Sequence, residues 1–517
     1  MSGHASHSAP HSPAGFELWT SARAITAIVG LLIIVKLAVA AETDFIRDEA
    51  YYALWSLYPL QAGYYDHPPA VVWFIDAGRL LLGDSPMSYR FFAVLSTGLS
   101  AAAVYRSAML LFDDRTIAGY SVLWFVLSLG TAIELFLITP DAPSTLFWTL
   151  AIWAAAELYR SRNANWWLAF GLFSGLGLAS KYTGFFLGAG IVLWVLAYRE
   201  NRAWLRCWQF YAGGIVALLI FAPVFYWNAV NDFVSLSFQW SRTGVVSPSL
   251  ERALRMFPEN LGVQVLLLGP GLFLYLVAAS FLVVRRIGNP ATGLLVTTAA
   301  PMLIFYAYHG LHSRVQGNWT LPLFGQLSIL GAWAAVTWLP ANRAAFRLLA
   351  LFRQFLAPAS AAIIALVYAQ ALFGFAPMKS AGQIDDMAGW AETVEHVADI
   401  AREAGTDTVL GYEYGITGWL ATYRRFGNHR LRVLPGREFY RYRFMPLPDP
   451  ATLKRPLLYA VRSGVDHDIP AICGNDGSPR PVHASVIRNG PNGKPVDRID
   501  IFALEDLPQG CKASATR

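Results

Sequence analysis

The chain has 517 residues, 55% of them hydrophobic and only 14% charged, with a mean hydropathy of +0.40 and a formal net charge of +6. A soluble domain carries about 25% charged residues, so the composition excludes an ordinary soluble protein and points to one embedded in a membrane. The positive balance does not point to nucleic acid: most of the arginine lies in short loops between apolar runs, where membrane topology accounts for it, and no nucleic-acid module is visible.

Met1–Gly15 is rich in Ser, His, Pro and Ala and has no apolar core, so residues 1–22 read as a disordered cytoplasmic tail rather than a signal peptide. His4, His7 and His11 belong to that solvated tail. Apolar runs near the length needed to cross a bilayer then recur at about 23–41, 88–111, 116–135, 142–158, 165–180, 183–198, 208–228, 261–284, 293–309, 319–339 and 349–374. These are about eleven spans, an odd number, which sets the termini on opposite sides. Arg115, then Arg160 and Arg162, then Arg199, Arg202 and Arg206, then Arg285 and Arg286, then Arg343 and Arg347 fall in alternate loops, which the positive-inside rule makes cytoplasmic. The loops at 41–87, 229–260 and 310–318 then face outward, together with everything after about Met378.

The first outward loop is the most unusual stretch. Asp44–Pro69 follows an apolar run, yet gathers Asp44, Arg47, Asp48, Glu49, Asp66 and His67 among five tyrosines and a tryptophan. Interfacial preference explains the aromatics but not the acids beside them. Carboxylates can act as a base or hold a cation, and aromatic faces such as those of Tyr52 and Tyr65 stack on sugars. Beyond Phe375 the composition changes. Gly389–Ala404 has helical periodicity, and Thr408–Gly411, Pro456–Val461, Val482–Ile487 and Ile499–Leu504 read as strands, so residues 376–517 form a small α/β domain large enough for a core of its own. Cys207 falls in a cytoplasmic loop as a free thiol. Cys473 and Cys511 lie in the polar C-terminal segment, where a disulfide and two free thiols are both open.

Five motifs lie on the expected outer face between residue 44 and about 320. They are Arg47-Asp48-Glu49-Ala50-Tyr51-Tyr52, Gly63-Tyr64-Tyr65-Asp66-His67-Pro68-Pro69, Thr139-Pro140-Asp141-Ala142-Pro143, Ser180-Lys181-Tyr182-Thr183 and Asn318-Trp319. As a set they resemble the polyprenyl-phosphate-dependent glycosyltransferases of the C-type fold, in the branch holding the dolichyl-phosphate-mannose protein mannosyltransferases and the lipid A aminoarabinose transferases. The resemblance implies a polytopic α-helical membrane protein with a small C-terminal periplasmic α/β domain. It also implies transfer of a sugar, with inversion, from a polyprenyl-phosphate donor to an envelope acceptor on the periplasmic face of a bacterial inner membrane.

Residue by residue, the resemblance makes Asp48 the base on the acceptor and brings Asp141 beside it. An attacking hydroxyl must lose its proton, which requires a carboxylate within about 3 Å. A helix N-cap is the plain alternative for either aspartate. Glu49 would orient Asp48 or, with Asp66 and His67, hold a divalent metal ion, a ligand set that fits such an ion but that the family does not uniformly require. Asp66 and His67, held rigid by the prolines after them, would equally serve sugar or acceptor. Lys181 and Arg314 would hold the lipid phosphate, with Asn318 and Trp319 beside them; snorkelling to headgroups is the plain alternative. Arg242 and His312 are further cations in outward loops. The acceptor reads first as lipid A or other lipopolysaccharide, then as a protein hydroxyl or a polysaccharide. The sugar is left open among aminoarabinose, hexoses, uronic acids and pentoses. A flippase for lipid-linked sugars would show charges midway along several spans together with inward loops as elaborate as the outward ones, and the sequence does not show that pattern. A non-catalytic assembly factor would tolerate loss of Asp48.

Overall fold

The computed structural model describes residues 19–242, 244, 249–285, 289–338, 343–375, 384–449, 452–463 and 482–505. The N-terminal histidines and the Cys473–Cys511 pair fall outside the described residues.

Apolar composition makes the first part helical, and local signals set the boundaries. Helix α1 (Ala22–Glu42) starts at a Ser21 cap, and the short α2 (Arg47–Trp55) follows, closed by the Glu49 side chain on the Ile46 amide at 3.1 Å. Next come α3 (Ala70–Leu82) and α4 (Pro86–Phe112), the latter entered through a Ser85 cap and a proline in its first turn. The run expected as one span at 116–135 is two helices, α5 (Arg115–Val126) and α6 (Leu129–Glu134), because Ser128 caps a new start. Then follow α7 (Asp141–Ser161), α8 (Trp166–Leu178), α9 (Phe185–Ala197), α10 (Trp208–Val230) and the short α11 (Val234–Arg242). The run expected as one span at 261–284 is also broken. Helices α12 (Leu250–Leu268) and α13 (Pro270–Arg285) meet at 107°, where Gly269 adopts φ +100° and proline begins the next helix. The series ends with α14 (Pro290–Gly310), α15 (Phe324–Thr337) and α16 (Arg343–Phe373).

Among the described residues, six helical stretches are long and apolar enough to cross a membrane on their own, or up to eight if each of two bent pairs is one span. The expectation of about eleven counted α7 and α8, which are too polar or too short for that test, and read the helices around each break as simple spans. Helix packing is close: a Cβ on Gly171 would lie 2.0 Å from the Gly213 carbonyl oxygen, so these glycines let α8 and α10 touch.

Three of the arginine-bearing loops gather at one end of the bundle. Arg160 pairs with Asp113 at 3.6 Å, and Arg162 meets Asn201 at 3.2 Å and Glu200 at 3.8 Å. Cys207, at the edge of this group, is a free, half-buried thiol.

The C-terminal part contains α17 (Trp390–Glu403), β1 (Thr408–Gly411), α18 (Tyr414–Phe426), β2 (Arg432–Pro435), β3 (Leu457–Ser463), β4 (Ala484–Asn489) and β5 (Pro495–Leu504). All four expected strands are present, and β2 and α18 are additions. The sheet order is β2-β1-β3-β5-β4, with β1 parallel to β2 and β3, and β5 antiparallel to β3 and β4. Only one side of this part has a separate core, built from residues such as Leu410, Tyr412, Leu457 and Phe502. On the other side Val394, Trp419, Leu458 and Ile501 belong to an apolar core continuous with that of the membrane helices. The domain therefore shares its core with the bundle it sits on.

Candidate active site

Helix α2 lies at the bottom of the site and α18 covers it. Gly418 presses on the Ala50 backbone so closely that a Cβ there would sit 2.6 Å from the Ala50 oxygen. The Trp419 indole N–H donates to the Phe45 carbonyl at 2.8 Å, and the Phe45 amide donates to the Tyr423 hydroxyl at 2.8 Å. This docking fixes the first outward loop.

Asp48, in the first turn of α2, accepts a hydrogen bond on Oδ1 from the Tyr414 hydroxyl at 2.9 Å. Burial raises its carboxyl above the ordinary range. Tyr414 and Arg47 pull it back down, whereas Asp66 and Asp141 push it further up. Asp66 accepts from the Tyr51 hydroxyl at 2.6 Å and pairs with Arg441 at 2.5 Å, while its carbonyl accepts from Gln239 at 2.5 Å. Burial raises the Asp66 carboxyl too. Asp141, at the N-terminus of α7, joins two motifs far away in sequence: Lys181 donates to Oδ1 at 2.7 Å, and the Asn318 amide donates to Oδ2 at 2.8 Å.

Tyr52 lies in the field of Asp48, Asp66 and Asp141, so burial and these three acids hold its hydroxyl protonated. His67 is held neutral, by burial first and then by Lys181 and Arg242, and its buried Nδ1 has no hydrogen-bond partner among the described residues. Trp319 stacks near Tyr306 and His309 and carries the Arg242 guanidinium over its ring at 5.2 Å. Tyr65 packs on Phe238 and Tyr440, under Arg441. Thus Asp48, Tyr52, Asp66, His67, Asp141, Lys181 and Asn318, drawn from five separate motifs, share one basin. Trp319 borders it through Arg242, whereas Arg314 is exposed.

Glu49 does not have the expected place. It is completely buried, and Arg90 grips both its oxygens at 2.7 and 2.6 Å, while the Ile46 and Ile138 amides donate to it at 3.1 and 2.9 Å. Arg90 further donates to Thr43 and to the Asp44 carbonyl. Glu49 is a clamp on the backbone around the site and contacts neither Asp48 nor substrate space. The expected cation set loses one member for the same reason. With both Glu49 oxygens held by a guanidinium, His67 lacks that partner, and among the described residues no three His, Cys, Asp or Glu side chains are grouped to hold a metal ion.

Several site residues escaped the sequence reading. Arg90 looks like any residue of an apolar helix. Arg441 lies in the other domain, and Tyr414 there reads from sequence as an acceptor contact or as ordinary packing, although the acids they bond were already suspect. Glu134, at the end of α6, stands in the field of Asp141, Lys181, Asp48 and Glu49, and an acid closing an apolar run was its available signal.

The chain has counterparts in sequence and fold among known proteins. The family described as dolichyl-phosphate-mannose-protein mannosyltransferase matches residues 66–227. The lipid A galacturonosyltransferase RgtD of Rhizobium johnstonii is 25% identical over 296 residues, 56% of this chain and 60% of that protein. The undecaprenyl phosphate-alpha-4-amino-4-deoxy-L-arabinose arabinosyl transferase of Pectobacterium carotovorum is 32% identical over 217 residues, 38% of this chain and 35% of that one. The matched regions thus span less than two thirds of either relative. Among solved structures, ArnT from Cupriavidus metallidurans superposes with a TM-score of 0.64 at 14% identity, covering 93% of this chain and 97% of that one; its form bound to undecaprenyl phosphate gives 0.62 at 13%, covering 93% and 98%. The fold is that of the C-type glycosyltransferases. Part of the sequence is thus similar to a family of dolichyl-phosphate-mannose-protein mannosyltransferases, a lipid A galacturonosyltransferase and undecaprenyl phosphate-alpha-4-amino-4-deoxy-L-arabinose arabinosyl transferases, and the fold is similar to that of ArnT.

Proposed function

We propose that this protein transfers a sugar from a polyprenyl-phosphate donor to lipid A or a related lipopolysaccharide acceptor, at the periplasmic face of a bacterial inner membrane. The observation that carries the reading is the basin itself. A carboxylate with one oxygen fixed by Tyr414 stands in the field of Asp141, which in turn holds Lys181. The relative named as a lipid A galacturonosyltransferase supports this acceptor class, and the relatives named for undecaprenyl phosphate-linked aminoarabinose, with the neighbour named as bound to undecaprenyl phosphate, support this donor class. The arginine-rich loops at the opposite end of the bundle support a site on the outer side.

In the reaction, Oδ2 of Asp48, which has no hydrogen bond among the described residues, takes the proton of the acceptor hydroxyl as its oxygen attacks the anomeric carbon. The bond from that carbon to the phosphate oxygen breaks, and the leaving lipid phosphate gains negative charge. Lys181 and Arg242, which both act on His67, are the cations that stabilise it. Asp141 aims Lys181 while leaving its ammonium two further donors. Arg314, exposed, meets the phosphate or lipid headgroups at the rim. His67 Nδ1 and the Tyr52 hydroxyl, without hydrogen-bond partners among the described residues, bond the sugar or acceptor. Among the described residues no three His, Cys, Asp or Glu side chains are grouped to hold a divalent ion, so no step is assigned to one.

The test is mass spectrometry of lipid A and of the polyprenyl-phosphate sugar pool in cells carrying the wild-type chain, Asp48→Asn or neither. A sugar-sized mass on an envelope lipid that depends on Asp48 supports the reading and identifies the sugar. Equal modification by the variant removes Asp48 as the base. No lipid change with wild type moves the acceptor to protein or polysaccharide.

A further inference from the structure

The C-terminal domain reaches into the basin at one point with a group aimed at the reacting carboxylate. Tyr414 is the first residue of α18, and its hydroxyl donates to Asp48 Oδ1 across 366 residues of sequence. The ring is held from two sides, edge-on against Tyr51 at 5.3 Å and beneath the Arg441 guanidinium at 5.6 Å. Behind it, Gly415, Gly418 and Trp419 seat α18 on the Phe45–Tyr51 backbone and the Arg47 side chain with no room for an added carbon. Arg47 also meets Glu413 at 3.6 Å, one residue before Tyr414. The tyrosine therefore has little freedom, and Asp48 inherits that restriction.

We propose that Tyr414 is a positioning residue for the transfer reaction: by donating to Asp48 Oδ1 it locks the carboxylate rotamer and directs Oδ2 to the acceptor, so that the C-terminal domain is part of the active site. This rests on the reading of Asp48 as the base. A carboxylate that must take a proton in one direction loses efficiency when it is free to rotate, because the reacting geometry is then one of several. A hydrogen bond to the ionised form also keeps the base ionised at lower pH. The other groups that face Asp48 are Arg47 and Tyr52 on α2, Asp66 in the first outward loop, Glu134 on α6 and Asp141 on α7. Of these Arg47 favours its charged form and the acids oppose it, so Tyr414 supplies the only hydrogen bond to Asp48 that does so among the described residues.

Tyr414→Phe removes one oxygen and leaves the ring contacts with Tyr51 and Arg441. The experiment measures transfer by the purified full-length protein, with polyprenyl-phosphate sugar and lipid A, as a function of pH. Tyr423→Phe serves as the control. It removes a hydroxyl from the same docking face, bonded to Phe45 rather than to Asp48. Expected for Tyr414→Phe is a kcat lower by about tenfold or more near neutral pH, a KM for the donor within about twofold of wild type, and an acid limb moved up by about one pH unit. Tyr423→Phe should lower the melting temperature and leave the limb in place. A Tyr414→Phe enzyme with the wild-type limb and kcat overturns the proposal, and so does a loss that is uniform with pH and matched by Tyr423→Phe, which would make the contact structural. Asp48→Asn separates the levels: if it is inactive while Tyr414→Phe behaves as wild type, the positioning role fails and the base survives. If Asp48→Asn is fully active, the reading beneath both fails.

Discussion

Asp48 and Glu49 are neighbours on the first turn of α2, and the regions they enter are opposites. Glu49 enters a sealed pocket where a guanidinium and two backbone amides take up both oxygens. Asp48 enters a basin lined by two further aspartates and takes one hydrogen bond from the other domain. Both pockets contain acid and base, yet only one leaves a carboxylate oxygen open. Fully matched charge holds backbone in place, because any change would leave an uncompensated ion in a dry interior. Incompletely matched charge costs stability and is retained where chemistry needs it. Under the proposed function, the clamp serves structure and the basin serves the reaction.

The largest expected effect that could break this comparison is at Asp48. Asp48→Asn should lower transfer by about 10²–10⁴-fold, read by lipid mass spectrometry, with the melting temperature in detergent unchanged or higher. The sign on stability follows from the raised carboxyl: the folded protein favours its neutral form, so ionisation above that raised pKa costs stability that a neutral Asn does not. The same shift sets the pH profile. Since the base must be ionised, transfer should fall as pH drops through a value above the ordinary carboxylate range, and the rate-against-pH curve measures it.

Glu49→Gln should do the reverse. Leaving Arg90 buried without its carboxylate costs about 3–5 kcal/mol of stability, so the protein should be scarce in membranes and melt early, whatever its residual activity. A stable Glu49→Gln protein that is inactive would erase the distinction between the two regions. A smaller effect is expected at Gly418→Ala, where the added carbon must push α18 off α2. A loss of about 1–3 kcal/mol and reduced transfer are expected, measured by melting and activity together. The smallest sharpens the edge of the basin. Arg314 is exposed, so Arg314→Gln should raise the KM for the donor by no more than about threefold, with kcat nearly unchanged. A large kcat effect would bring Arg314 into the basin beside Lys181.

Much of the architecture was legible from local pattern. Apolar runs marked the helices because a span must present a nearly continuous apolar surface, and β1 was read to the residue because alternation and turn residues bound it. The breaks at Ser128 and Gly269 were hidden, since each sits inside apolar sequence and depends on which amide finds a cap. α18 was missed because Tyr414–Phe426 carries tyrosine, threonine and two glycines, whose worth lies in close contact with α2 rather than in helix propensity.

For the site, residue type and motif alone singled out Asp48, Asp66, His67, Asp141, Lys181 and Asn318, because acids and cations beside an apolar span are costly unless paired or used. Only the tertiary structure decided which of them were paired and with what. It gave Glu49 to Arg90 across 41 residues, joined Lys181 and Asn318 on Asp141 across 40 and 177, and brought Tyr414 to Asp48 across 366. The reason is physical: the cost of isolating a charge is a property of one residue and can be read in one dimension. Its compensation is a short-range contact that exists only once distant segments have packed together.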